Sequence, residues 1–123
     1  MNERKGNMMP QTQHKITNTN LLDNPVFNDG KPSKGPVANI AGVNFIKLTI
    51  KAGDTLPAHH VNKAAFAVLL KGKAKFPIYD QTYTITEGAF LEIPQDAEHS
   101  VTAEEDSVFL VGIIGSSPEE DAC

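Results

Sequence analysis

Three of the four histidines in this 123-residue chain have a spacing that suits chemistry: His59 and His60, adjacent in the stretch Pro57-Ala58-His59-His60-Val61, and His99 further along. Imidazole titrates near neutral pH, ligates transition metals through a neutral ring nitrogen and passes protons. A convergent pair therefore suits a metal, general acid–base work or the orientation of a small ligand. Two imidazoles also occur simply as core groups satisfied by backbone or water. The other candidates carry less. His14 lies in a polar run, Tyr83 alternates with Ile85 and puts a hydroxyl at most at the edge of a core, and Glu104-Glu105-Asp106 reads as a solvated hairpin tip. Cys123 has no base beside it in sequence, and there is no nucleophile elbow, phosphate loop or CxxC pair.

The elements that position these histidines are strands. From Val37 onward, short runs of Val, Ile, Phe and Tyr are broken every eight to twelve residues or so by Gly, Pro, Asp or Lys-Gly turns, the pattern of a sandwich or barrel. Expected strands run Val43 to Lys51, Thr55 to Val61, Ala65 to Lys71, Lys73 to Tyr79, Thr82 to Thr86, Ala89 to Ile93, His99 to Ala103 and Ser107 to Ile114. Alternation assigns faces: Ile46, Leu48 and Ile50 oppose Lys47, Thr49 and Lys51, while Ala74, Phe76 and Ile78 oppose Lys73 and Lys75. Ala65 to Leu70 and Val108 to Ile114 are apolar on both faces, which predicts an outer face covered by the arm or by another subunit, a homodimer being the economical explanation. Successive strand residues point to opposite faces, so His59 and His60 enter the same space only through a bulge, and a bulge there would let His60 take the place of His59.

Residues 1–16 read as a flexible N-terminal arm, 17–36 as an extended surface segment anchored by Leu21, Leu22, Val26 and Phe27, 37–115 as one barrel domain, and 116–123 as an acidic C-terminal tail. Within that tail Ser117-Pro118-Glu119-Glu120 has the composition of a helix start, one turn at most. A net charge of −4, with no basic run and no basic–aromatic interleaving, argues against nucleic acid and anionic membranes as partners. No apolar stretch approaches the roughly 20 residues that span a bilayer. The opening residues contain no apolar export core and the single cysteine cannot form an internal disulfide, so a cytoplasmic location is expected.

Counting outward from the histidines gives Gly53, five residues, His59, one residue, Val61, three residues, Ala65, six residues, Gly72; then Gly88, five residues, Pro94, one residue, Asp96, two residues, His99, three residues, Ala103. These two frames, separated by a short spacer, resemble the paired motifs of the cupin family. The resemblance spans about residues 37–115 and implies an all-β, cupin-type jelly-roll β-barrel. In metal-binding cupins the places of His59, Val61, Ala65 and His99 resemble a three-His-one-Glu ligand set, and this chain keeps only the first and last.

The expected pocket is lined by His59, Val61, Leu69, Phe76, Leu91, His99 and Val101, with Leu48 and Ala67 beside them and the two histidines as its polar points. Its inward faces offer no Asp or Glu, since Glu92 and Glu98 fall on the other parity. Such a pocket suits a small, mainly apolar ligand bound without catalysis or without metal. The alternative is an enzyme, a dioxygenase or isomerase, in which His59 and His99 hold iron, manganese, nickel or zinc weakly, with water or substrate completing the shell. A metal-free acid–base pair is a third possibility.

Overall fold

The computed structural model describes residues 14–59 and 61–115. His60, residues 1–13 of the expected arm, and the 116–123 tail with its Ser117-Pro118 signal and Cys123 lie outside the described residues. Nine strands follow in chain order: β1 Ser33–Ile40, β2 Val43–Ile50, β3 Thr55–His59, β4 Ala65–Lys71, β5 Lys73–Ile78, β6 Gln81–Thr86, β7 Phe90–Ile93, β8 His99–Ala103 and β9 Ser107–Ile114. They form a five-stranded sheet, β1-β2-β9-β4-β7, and a four-stranded sheet, β3-β8-β5-β6, with antiparallel pairing throughout. The result is an all-β jelly roll, and no helix long and apolar enough to cross a membrane occurs among the described residues.

Alternation explains the layering. Ile46, Leu48 and Ile50 of β2 are buried, as are Ala74, Phe76 and Ile78 of β5, and their neighbours turn outward. Between the sheets these residues meet Leu69, Val101, Phe109, Val111 and Ile113, with Phe76 and Phe109 edge to face at 5.8 Å. Gly72 makes the short passage from β4 to β5. Its φ is +104°, and a Cβ there would come within 2.5 Å of the Asp106 carbonyl oxygen, so only glycine passes.

β1 is a strand the sequence pattern did not announce. It straddles residue 37, because SKGPVANI carries a glycine and a proline yet pairs along β2 from Ser33↔Thr49 to Ile40↔Val43 with an irregularity between Pro36 and Ala38. The segment before it is tied to the outer side of β2: Thr49 Oγ1 donates to the Val26 carbonyl at 2.7 Å, and Lys47 Nζ to the Asp23 carbonyl at 3.4 Å. An ion pair between Lys51 and Asp29 and a bond from Gly30 N to Asp54 Oδ2 add to the attachment.

Candidate functional site

β3 and β8 bring the two histidines together. Thr55 pairs with Thr102 and Leu56 with Val101, but His59 pairs with His99, so one extra residue is accommodated in β3 between Leu56 and His59. The cause lies at Pro57, which has no N–H to give to the ladder and sits on the edge strand of its sheet, where a bulge costs least. That bulge shifts the phase of the strand by one and sets His59 beside His99, with ring centroids 4.3 Å apart and planes inclined at 56°.

The expected strand continued to Val61; β3 ends at His59, and Val61 lies in the loop that follows. There its carbonyl accepts from Asp96 N at 2.9 Å, lashing the end of β3 to the turn that precedes β8. Asp96 takes a φ of +64° in that Pro94–Ala97 turn, a conformation aspartate tolerates, so the turn geometry is kept without glycine. His99 follows directly as the first residue of β8.

Both imidazoles are anchored in the same way. His59 Nδ1 lies 2.9 Å from the Pro57 carbonyl oxygen, and His99 Nδ1 lies 2.9 Å from that of Ala97. A carbonyl only accepts, so each Nδ1 carries the proton, and in the neutral ring each Nε2 presents a lone pair. His99 is 3% exposed, and burial holds its pKa below the usual histidine value; the Ala97 carbonyl opposes that shift and the neighbouring His59 adds to it. His59 Nε2 is buried and has no hydrogen-bond partner among the described residues.

Of the other expected lining residues, Leu69, Phe76 and Val101 are packed in the core, while Leu91 is partly buried against it and Val61 sits at the loop edge. Tyr83 shares the face of Ile85 and pairs with Phe76, with 39% of its surface exposed. The two backbone carbonyls that anchor the imidazoles were not among the sequence candidates. Pro57, two residues before a histidine in a strand, was the available signal for one of them.

The residues present do not make a complete metal shell. Structural and catalytic divalent sites use three or four protein ligands, and among the described residues no three His, Cys, Asp or Glu side chains are grouped to hold an ion. Two imidazoles with matched Nε2 lone pairs are what the described chain offers.

No family model matches the chain, and no curated protein matches it. Solved structures do. An RmlC-like cupin protein from Desulfovibrio desulfuricans is 28% identical, with a TM-score of 0.74 over 82% of this chain and 98% of that one. The protein TT1209 from Thermus thermophilus is 19% identical, with a TM-score of 0.74 over 80% and 97%. A cupin superfamily protein from Desulfitobacterium hafniense is 13% identical, with a TM-score of 0.66 over 72% and 82%. The last two speak to the fold; the first joins fold to sequence, and with the jelly roll and the two motif frames it places this chain in the cupin superfamily.

Proposed function

We propose that the protein binds a small, mainly apolar molecule in its barrel and orients it through His59 and His99. The observation that carries this reading is His59 Nε2, a buried acceptor without a partner among the described residues. Leaving such a group unpaired costs about 1–3 kcal/mol. A ligand hydroxyl, amide N–H or protonated carboxyl would supply the missing bond, and the depressed pKa of His99 favours a neutral, accepting imidazole beside it. Apolar side chains packed against the core without being fully buried, such as Leu56 and Leu91, would meet the remainder of the ligand.

A second reading rests on the matched anchoring of the two rings, since an Nδ1–H bond to a carbonyl is also how ligating histidines are oriented. In that reading His59 and His99 hold a divalent transition metal weakly and substrate oxygens complete its shell, in a dioxygenase or isomerase.

One experiment separates them. Elemental analysis of protein purified without a metal-affinity tag is run beside a thermal-shift screen of small phenols, alcohols and amides, on wild type and His59→Leu. Metal-free protein with screening hits that vanish in His59→Leu supports the first reading. Stoichiometric metal that disappears in the variant overturns it in favour of the second.

A further inference from the structure

The histidine row is the last row of the four-stranded sheet: His59 of β3 pairs with His99 of β8, and His99 with Ile78 of β5. Three connections therefore open at it, residues 60–64 after β3, Tyr79-Asp80 after β5 and residues 94–98 before β8. Their acids are Asp80, Asp96 and Glu98, all exposed. The cation among the described residues of these connections is Lys63, which is half-buried and has a partner of its own. Asp96 and Glu98 lie within three residues of His99, and Asp80 within two of Ile78. About 10 Å of chain at most separates each from the row, no more than a Debye length. The inward positions of β5 and β8, Ala74, Phe76, Ile78, Val101 and Ala103, are buried and carry no charge.

The pair itself asks for more than a single hydrogen bond. Both Nδ1–H groups are taken by backbone carbonyls, so the two Nε2 atoms offer acceptors and no donor, and with ring centroids 4.3 Å apart one small group can serve both. A carboxylate brings no donor and a hydroxyl only one, which leaves an acceptor unmatched, whereas a primary amide brings two and a primary ammonium three. The surrounding charge separates these last two. Exposed acids around an apolar barrel favour a cation over a neutral group and repel an anion.

We propose that the group received by the histidine pair is a primary ammonium and that the ligand is a small alkylamine. Its N–H groups donate to His59 Nε2 and His99 Nε2, its apolar body lies against the partly buried Leu56 and Leu91, and Asp80, Asp96 and Glu98 favour its charge. This assignment rests on the ligand-binding reading above and narrows it from any donor to one cationic group that donates more than once.

Cyclohexyl probes of similar size separate donation from charge: cyclohexylmethylamine, its trimethylammonium counterpart, cyclohexanecarboxamide, cyclohexylmethanol and cyclohexanecarboxylate. In calorimetric titration of the full chain at about pH 7.5, the amine should bind about tenfold or more tighter than the amide and the alcohol, with no measurable binding of the quaternary ion or the carboxylate. His59→Leu should abolish amine binding while circular dichroism stays unchanged. Asp80→Asn, Asp96→Asn and Glu98→Gln combined, with asparagine tolerating the positive φ at 96, should weaken the amine about fivefold and leave the amide within about twofold. An amide or alcohol that binds as tightly as the amine and is lost in His59→Leu overturns the ammonium assignment and leaves the ligand-binding reading standing. A quaternary ion bound as well as the amine, or amine affinity unchanged in the triple variant, also overturns the assignment. No binding of any probe overturns it too and, where the screen of phenols, alcohols and amides gives no hits either, overturns the reading beneath it.

Discussion

The Pro57 carbonyl accepts the Nδ1 proton of His59, and the same proline withholds the N–H whose absence lets β3 bulge toward β8. One residue therefore sets both where His59 points and which tautomer it takes. His99 has the same carbonyl anchor two residues before it, at Ala97, but no proline there, and is placed by the Pro94–Ala97 turn.

Pro57→Ala should uncouple these effects from folding. The restored N–H permits regular pairing with β8, which turns His59 toward the other face. Nitrogen NMR of labelled imidazoles should show His59 losing its Nδ1–H tautomer while His99 keeps its own. An unchanged His59 spectrum would mean that the bulge is set elsewhere in the loop.

His99 makes stability depend on pH. Its folded-state pKa lies below the ordinary value of 6.5, mainly through burial, so the unfolded chain binds more protons in the window beneath that value. The contribution of His99 is complete above about pH 6.5 and is lost as the pH falls through the folded-state pKa. Urea midpoints measured from pH 7.5 down to pH 5 should fall more steeply in wild type than in His99→Gln. Parallel curves would remove burial of His99 as the cause.

Much of this architecture is legible in the residues, and the exceptions have physical causes. Strands β2, β4, β8 and β9 match their runs within a residue because their apolar residues fall either on alternate positions or on both faces. β1 escaped because its stabilisation comes from pairing with β2 and from the preceding segment rather than from its own apolar content. The histidine pair was legible as two motif frames, but parity alone gives the wrong phase across a bulge: Leu56 and His59, three residues apart, pair with Val101 and His99, two residues apart. Nor could spacing reveal the Nδ1 anchors, since those acceptors are backbone carbonyls with no residue signature.

The glycines at 72 and 112 should respond differently to the same substitution. Gly72→Ala meets the Asp106 carbonyl and requires a positive φ, so it should cost about 2 kcal/mol or more with no simple rescue. Gly112→Ala meets the Phe66 ring first, so it should cost about 1–3 kcal/mol alone and much less beside Phe66→Leu. Urea unfolding of the four variants measures both. Additive costs for the Gly112–Phe66 pair would show that the ring is not what excludes the methyl group.

Thr49→Val should loosen the segment before β1 and leave the barrel intact. Thr49 is 4% exposed, and its hydroxyl donates to the Val26 carbonyl at 2.7 Å, whereas valine fills the same volume with no donor. The loss should be about 1 kcal/mol. The remaining ties, Lys47 to the Asp23 carbonyl, Lys51 to Asp29 and Gly30 N to Asp54, are exposed, and those carried by charged side chains give way more readily in salt. Limited proteolysis in 0.5 M salt should therefore cut residues 20–30 faster in Thr49→Val than in wild type, with the 33–115 fragment surviving in both. Equal rates of cutting would show that Thr49 does not hold the segment down.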